Sequence, residues 1–174
     1  MTGLVLVVVL LAAAVSARWL LWDLRTVPRG GGHRDQPAPV SVVIPARNEE
    51  TTLPALLESL RQLTIGVAEI VVVDDGSRDA TASVARSAGA TVLTASAPPP
   101  GWTGKAWACH LGASATSADL LLFLDADTVL ARDALGGLLE LHERHGGLVS
   151  VQPFHCVVRA YEQLSSYFNV MSLL

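Results

Sequence analysis

The feature that most constrains the fold is an apolar run that ends in two carboxylates. Five apolar residues, 120–124, are followed directly by Asp125-Ala126-Asp127-Thr128. A short, uninterrupted apolar run is typical of a strand that is buried on both faces, as in a parallel sheet covered by helices. In open α/β sheets, ligands bind beyond the carboxyl ends of the strands. The run therefore predicts a buried strand that places Asp125 and Asp127 at a ligand-binding edge.

The two carboxylates are also candidate metal ligands. Side chains alternate along a strand, so Asp125 and Asp127 start on the same side of the backbone. Paired carboxylates suit Mg²⁺ or Mn²⁺, which also accept the oxygens of a bound phosphate as ligands. The structural alternative is that Asp125 ends the strand and that Asp127 or Thr128 caps the next helix. An isolated Asp-x-Asp pattern leaves both interpretations open.

An earlier strand is predicted to bring polar residues to the same edge. Residues 40–44 are mostly β-branched, and leucines at helical spacing then predict a helix over about 50–62. Pro45, Asn48 and Glu49 lie in the turn between them. Asn48 and Glu49 are candidate ligand-binding residues, or else a helix cap and a partner of the helix dipole.

A second strand, predicted over 70–73, ends in the adjacent carboxylates Asp74 and Asp75. A glycine follows them, and a helix is expected over about 80–87. One interpretation is a capped turn. The other is that one Asp accepts hydrogen bonds from the base or ribose of a nucleoside, as acidic residues do in dinucleotide sites.

Lys105 is a candidate phosphate ligand. After a strand predicted over 91–94, it lies near the start of a helix that is expected to run to about Ala115. A cation at a helix N-terminus opposes the helix dipole unless an anion is bound nearby. The alternative is a solvated surface lysine. Further along, the pattern predicts a helix over 131–145, a strand over 148–151 and an apolar helix over 161–174.

The N-terminal residues 1–22 are predicted to form a single transmembrane helix. A helix from Thr2 to Trp22 would be about 30 Å long, which matches the hydrocarbon thickness of a bilayer. Arg18 lies near the end of this segment, Arg25, Arg29 and Arg34 follow it, and no Lys or Arg precedes its apolar run. The positive-inside rule then places the rest of the chain in the cytoplasm, at the cell membrane. A signal peptide cleaved after Ala17 is the alternative, although the chain has no basic residue before its apolar run.

The remaining chain divides into a linker and one domain. Residues 23–39 are basic and rich in Gly and Pro, which is typical of a linker. Residues 40–174 then form an α/β domain, with a mostly parallel sheet and helices on both faces. The net charge of −4 argues against a nucleic-acid partner.

Taken together, these motifs resemble the nucleotide-sugar glycosyltransferases of family 2, which have the Rossmann-like GT-A fold. The matching segments are Val43-Ile44-Pro45-Ala46-Arg47-Asn48-Glu49, Val73-Asp74-Asp75-Gly76-Ser77-Arg78-Asp79-Ala80-Thr81, Gly104-Lys105 and Leu124-Asp125-Ala126-Asp127. The stretch 99–108 is similar to the hopanoid-associated and carotenoid-type branch of that family.

The resemblance implies a role for each candidate residue. Pro45, Asn48 and Glu49 would line the nucleotide pocket. Asp74 and Asp75 would hold uracil or ribose. Lys105 would face the donor diphosphate. Asp125 and Asp127 would hold the ribose and a divalent metal, Mg²⁺ or Mn²⁺.

The resemblance also implies a function. The chain would transfer a sugar from a UDP-sugar to an acceptor hydroxyl, with metal assistance and with inversion at the sugar carbon. The predicted membrane anchor, which would keep the site near the bilayer, favours a lipid as the acceptor. The general base and the acceptor platform of the family follow the part that residues 40–174 match. No catalytic base is therefore assigned, and these residues are expected to be the donor-binding half.

Two alternatives remain open at this point. One is a non-catalytic, membrane-tethered half-domain that binds a nucleotide-sugar or pairs with a partner subunit supplying the missing half. The other is a haloacid-dehalogenase-type phosphatase, because residues 125–129 also match the signature of that class. In such phosphatases the first Asp is a nucleophile on an early strand, whereas here two strand–helix units precede it.

Overall fold

A computed structural model describes residues 38–151 of the chain, together with residues 7, 8, 11, 12, 15 and 16. Within 38–151, four parallel strands form one sheet in the order β3-β2-β1-β4. The strands are β1 (Ala38–Ala46), β2 (Val67–Asp74), β3 (Thr91–Thr94) and β4 (Leu120–Phe123). The helices are α1 (Leu53–Arg61), α2 (Thr81–Ser87), α3 (Gly104–Ala115) and α4 (Ala134–His145). The predicted α/β architecture is confirmed.

Apolar side chains from alternate strand positions build a core on each face of the sheet. On one face, Val42, Ile44 and Val72 pack against the leucines of α1 and against Ala85 of α2. The α4 residues Leu135 and Leu139 pack against Val40 and, with it, against Leu120 and Leu122. On the other face, Val43, Val71 and Val73 pack against Ala108 of α3. The central strands are therefore buried on both sides, as the β-branched runs predict.

The helix α3 lies unusually close to the sheet. A Cβ atom at Gly112 would lie 2.4 Å from Cγ1 of Val43 and 3.0 Å from Cγ2 of Val73. Only glycine fits this approach without displacing the core. The close packing fixes the height of α3 above β1 and β2 around Gly112.

The strand β4 differs from its prediction in one respect. Leu121 and Phe123 are 39% and 46% exposed, so one face of the strand is open. The reason is that β4 is at the edge of the sheet among the described residues, while α3 covers β1 and β2. The expectation of a strand buried on both faces is therefore wrong for β4.

The strand predicted over 148–151 is also wrong. After α4, Gly146 and Gly147 adopt φ values of +63°, and residues 148–151 form no strand. Leu148 is 93% exposed and pairs with no strand of the described sheet. Local β-propensity is overruled here because the strand has no partner within the described residues.

Three predicted segments fall largely or wholly outside the described residues, and one of them is the linker over 23–39, of which only residues 38 and 39 are described. The apolar helix over 161–174 lies outside them completely. Of the predicted membrane segment 1–22, the described residues 7, 8, 11, 12, 15 and 16 are helical. No helix within the described part of the chain has the length and apolar character needed to cross a bilayer.

Candidate functional site

The carboxyl edge of the sheet carries an open cavity of about 280 Å³. It lies where the loops after β1, β2 and β4 meet the first turn of α3. Its lining consists of Pro45, Ala46, Arg47, Glu49, Asp75, Lys105, Asp125, Ala126 and Asp127. The sheet thus brings most of the candidate residues to one place, although up to 82 positions separate them in the chain.

The backbone after β4 presents Asp125 and Asp127 to solvent. Ala126 between them is only 4% exposed and packs into the core, so the two carboxylates lie on the opposite, open side. A turn follows, in which the Thr128 N–H donates to the Asp125 carbonyl at 3.0 Å. The next helix, α4, has Asp133 as its N-cap. Helix capping by Asp127 or Thr128, the structural alternative, is therefore wrong.

The loop after the two carboxylates is anchored to α1. The Leu130 N–H donates to Oγ of Ser59 at 3.1 Å, and Ser59 in turn donates to the Leu56 carbonyl at 2.7 Å. Further along, Thr64 donates to the Arg132 carbonyl from both its N–H and its hydroxyl. These contacts hold the loop at two points, so the carboxylates sit on a supported turn.

Lys105 and Asp125 form an ion pair at the rim of the cavity, with Nζ 2.7 Å from Oδ1. This hydrogen bond raises the pKa of Lys105, so the amine is positively charged at neutral pH. The two side chains are 64% and 59% exposed. Exposed pairs contribute only about 0–1 kcal/mol, so a charged ligand can separate this pair at low cost.

The neighbours Asp74 and Asp75 have different environments. Asp74 is 8% exposed, and its Oδ1 accepts the Ser77 N–H at 3.0 Å, which closes the turn after β2. Asp75 lines the cavity, and its Oδ2 lies 3.8 Å from Nη1 of Arg47. The capped-turn interpretation thus describes Asp74, whereas Asp75 is placed to meet a ligand.

Asn48 joins two loops and does not contribute to the cavity lining. It is a non-glycine residue with a positive φ, 57°, a conformation that asparagine tolerates better than most residues. Its Oδ1 accepts the Arg78 N–H at 2.8 Å, and its own N–H donates to Oγ of Ser77 at 3.0 Å. The N-cap of α1 is Thr52, so capping by Asn48 is wrong. A contact between Asn48 and a nucleotide stays a prediction.

Further hydrogen bonds lock the same two loops together. The Glu49 N–H donates to the buried hydroxyl of Thr81 at 2.8 Å. The Glu50 N–H donates to Oδ2 of Asp79 at 3.2 Å, and the Ala80 N–H returns to Oε2 of Glu50 at 2.8 Å. The Thr81 hydroxyl also lowers the pKa of Asp79. This network fixes the wall of the cavity that carries Glu49 and Asp75.

Sequence reasoning assigned no role to Arg47, although this residue lines the cavity. Its position between Pro45 and Asn48 is the signal that could have indicated it. The aromatic residues that follow the three consecutive prolines at 98–100 pack on one another. The ring centroids of Trp102, Trp107 and His110 are 5.1–5.4 Å apart, and none of the three lines the cavity.

The chemistry of the site fits a metal that takes part of its ligands from a substrate. Within the described residues no group of three or more His, Cys, Asp or Glu side chains converges on one point. Asp125 and Asp127 would supply two carboxylates. Mg²⁺ is commonly held by one or two carboxylates together with water and phosphate oxygens. The donor set therefore fits a metal shared with a bound phosphate.

Comparison with known sequences establishes the family. A sequence model described as Glycosyl transferase family 2 matches residues 41–167, which is most of the chain. The chain therefore belongs to glycosyl transferase family 2. This membership removes the phosphatase alternative, and the parallel α/β sheet is the GT-A type of fold that the resemblance implied.

Two curated relatives carry the same name. The chain is 46% identical over 140 residues to a 4,4'-diaponeurosporenoate glycosyltransferase of Staphylococcus haemolyticus. It is 42% identical over 139 residues to the protein of that name in Staphylococcus aureus. Each match covers 78% of this chain and 37% of the relative. The chain thus spans little more than a third of the length of these relatives.

Among solved structures, the chain is similar to TarS of S. aureus. A TarS fragment matches with a TM-score of 0.52 and 23% identity, over 65% of this chain and 38% of that one. The same fragment in complex with UDP matches with a TM-score of 0.50 and 22% identity, over 65% and 38% of the two chains. At this level of identity the likeness establishes the shared fold.

Proposed function

We propose that this chain is the donor-binding part of a glycosyltransferase that uses a UDP-sugar and a divalent metal, Mg²⁺ or Mn²⁺. The observation that carries the proposal is the cavity in which Asp75, Lys105, Asp125 and Asp127 meet at the carboxyl edge of the sheet. Three carboxylates and one amine on a single rim match the parts of a nucleoside diphosphate. Hydroxyl or base N–H groups need acceptors, and a diphosphate needs cations.

Each side chain has a task in this site. Asp75 accepts hydrogen bonds from the ribose or the uracil. Lys105, which is charged and mostly exposed, leaves Asp125 and donates to the diphosphate. Asp125 and Asp127 would hold the metal, and Asp125 would also contact the ribose. A bound divalent metal supplies Lewis-acid stabilisation of the charge that builds on the leaving diphosphate. Pro45 and Glu49 form the adjoining wall of the pocket.

The reaction follows from the class of enzyme. A hydroxyl of the acceptor attacks the sugar carbon in line with the departing diphosphate, which inverts that carbon. A general base must take the proton of the hydroxyl. We place this base and the acceptor platform in a part of the enzyme beyond residue 174, because the relatives are nearly three times as long as the matched region.

We further propose a lipid acceptor and a membrane location. The curated relatives are named for 4,4'-diaponeurosporenoate, which supports an acceptor of the lipid type. The apolar segment 1–22 would anchor the chain in the cell membrane by a single pass, with the domain in the cytoplasm. An anchored domain keeps its cavity close to an acceptor that is dissolved in the bilayer.

Calorimetric titration of the full chain with UDP, with and without Mn²⁺, tests the donor site. We expect UDP to bind more tightly when Mn²⁺ is present, and we expect this difference to vanish in Asp127→Ala. Asp133→Ala is a matched control, because Asp133 is a carboxylate on the same segment that does not line the cavity. Equal binding of UDP with and without the metal would refute the metal-assisted site.

Turnover then separates an enzyme from a binding module. The chain is incubated with radiolabelled UDP-glucose or UDP-N-acetylglucosamine and with membrane lipid extract, and label in the lipid phase is counted. Transfer of label indicates an active transferase. Metal-dependent UDP binding without transfer would favour the alternative, a tethered donor-binding half-domain that works with a partner subunit.

A further inference from the structure

The first residue of α3, Gly104, lies directly against the carboxylate of Asp75. A Cβ atom added at Gly104 would be 2.5 Å from Oδ2 of Asp75 and 3.4 Å from its Cγ. The first of these distances is far shorter than any ordinary contact between a carbon and an oxygen. The space that a side chain at position 104 would need is therefore filled by the Asp75 carboxylate.

Two further contacts help to define where Asp75 lies. The Asp75 N–H donates to the Ala46 carbonyl at 2.9 Å, which ties its backbone to the end of β1. Its Oδ2 lies 3.8 Å from Nη1 of Arg47. Its remaining side faces the first turn of α3, a helix of 12 residues whose N-terminal end favours negative charge. The Asp75 side chain is 21% exposed, which leaves only a small part of it open to the cavity.

We propose that Gly104 is a positioning residue for the donor site. The missing side chain lets the Asp75 carboxylate rest against the first turn of α3, in one orientation, with its open edge toward the nucleoside. The inference rests on the proposed function, because it assumes that Asp75 accepts hydrogen bonds from the ribose or the uracil. It assigns to the glycine the task of setting the direction in which that carboxylate points.

The same geometry predicts what an alanine does at this position. The atom that the new methyl group meets is the end of a rotatable side chain, so the Asp75 carboxylate turns away and the backbone stays in place. Gly104 is not one of the glycines with a positive φ, so alanine can adopt its backbone conformation. Alanine also forms helices more readily than glycine. We therefore expect Gly104→Ala to fold with undiminished stability and to lose affinity for UDP.

A double-mutant cycle tests this coupling. UDP binding in the presence of Mn²⁺ is measured by calorimetry for the full chain, for Gly104→Ala, for Asp75→Ala and for the double variant. We expect Gly104→Ala to bind about tenfold more weakly, close to the effect of losing one hydrogen bond to a charged group. We expect its melting temperature to be at least that of the parent. In the Asp75→Ala background, Gly104→Ala should have no further effect, because the carboxylate it displaces is gone.

A control variant in the same turn separates positioning from helix stability. Ala106→Gly lowers the helix propensity of the first turn of α3 without approaching the Asp75 carboxylate, and Ala106 does not line the cavity. We expect this variant to melt at a lower temperature and to bind UDP like the parent. Weaker UDP binding in Ala106→Gly would show that binding follows the stability of the helix, which overturns the positioning role.

Each of the remaining outcomes would contradict either this inference or the proposed function. Parental affinity in Gly104→Ala overturns the inference and leaves the donor site intact. Losses that add in the double variant overturn it too, because Gly104 would then act independently of Asp75. Parental affinity in Asp75→Ala removes Asp75 from the proposed function and the inference with it. If UDP does not bind to the parent chain, the proposed function itself fails.

Discussion

The two ends of the parallel sheet both carry carboxylates, but their surroundings differ. At the amino end, Oε1 of Glu69 accepts hydrogen bonds from the Ser41 hydroxyl at 2.6 Å, from the Ser117 N–H at 2.9 Å and from the Ser117 hydroxyl at 3.1 Å. At the carboxyl end, Asp125 and Asp127 are exposed, and Asp125 forms its ion pair with Lys105, which is also exposed. One carboxylate oxygen of Glu69 is thus satisfied by three protein donors, whereas the exposed carboxylates of Asp125 and Asp127 are open to another partner.

Hydrogen bonding distinguishes a structural carboxylate from a binding carboxylate in this protein. Glu69 joins β2 to β1 and to the loop before β4, so its task is to hold three segments together. Asp74 and Asp75 repeat the contrast at adjacent positions, one closing a turn and the other lining the cavity. Residue type and sequence position do not distinguish these carboxylates. The number of protein donors that surround each one does.

The largest expected effect comes from exchanging one carboxylate for an amide at each end. Asp127→Asn should weaken Mn²⁺-dependent UDP binding by at least about 100-fold, because an amide is a poorer ligand for a hard cation. Its melting temperature should stay near that of the parent, because Asp127 is exposed. Glu69→Gln should do the reverse, with a lower melting temperature and parental UDP binding. Calorimetry and thermal unfolding of both variants check these predictions. The same change in UDP affinity and melting temperature in both variants would show that the two carboxylates do not differ in role.

The second effect concerns the interior between the two ends. Gly112→Ala should lower the free energy of unfolding by about 1–3 kcal/mol, because the new methyl group overlaps with Val43 and with Val73 in a close-packed core. Urea denaturation measures this difference. UDP affinity of the folded variant should be parental, because Gly112 lies two turns along α3 from the cavity. A variant as stable as the parent would show that α3 does not pack this closely on the sheet.

The third effect concerns ligand binding by Lys105 at the carboxyl end of the sheet. Lys105→Met should weaken UDP binding about tenfold, since the diphosphate loses one charge-assisted hydrogen bond. In the absence of UDP the same variant should bind Mn²⁺ slightly more tightly, by up to about fivefold, because Asp125 is no longer engaged in an exposed ion pair. Titration of Mn²⁺ alone and of UDP with Mn²⁺ gives the two values. Arg86→Met, on α2, removes an equal charge away from the cavity and should leave both unchanged.

The smallest effect is a pH dependence that arises at the amino end. The Ser117 N–H and the Ser41 hydroxyl lower the pKa of Glu69 below its ordinary value of 4.5. A group whose pKa is lower in the folded state stabilises the fold above the unfolded-state pKa. This contribution is therefore complete above about pH 5 and is lost as the pH falls through the folded-state pKa of Glu69. Unfolding free energies between pH 3 and pH 7 should fall less steeply toward acid in Glu69→Gln than in the parent. Parallel curves would mean that Glu69 stabilises the fold no more in its charged form than in its neutral form.

Much of this protein was determined by local sequence. The β-branched runs predicted β1, β2 and β3 close to their observed bounds, and the leucines at helical spacing predicted α1. The placement of polar residues directly after apolar strands predicted the edge at which the cavity lies. Parallel strands bring their carboxyl ends together whatever the details of their packing.

Packing between distant segments determines features of this protein that local sequence patterns do not predict. Whether both faces of β4 are covered depends on where α3 lies, and α3 lies over β1 and β2. Whether a carboxylate is free to bind depends on donors from distant segments, such as Ser117 for Glu69. The closeness of Gly104 to Asp75 joins residues 29 positions apart in the chain. Such contacts arise only when separate elements pack together, since no short stretch of sequence contains both partners.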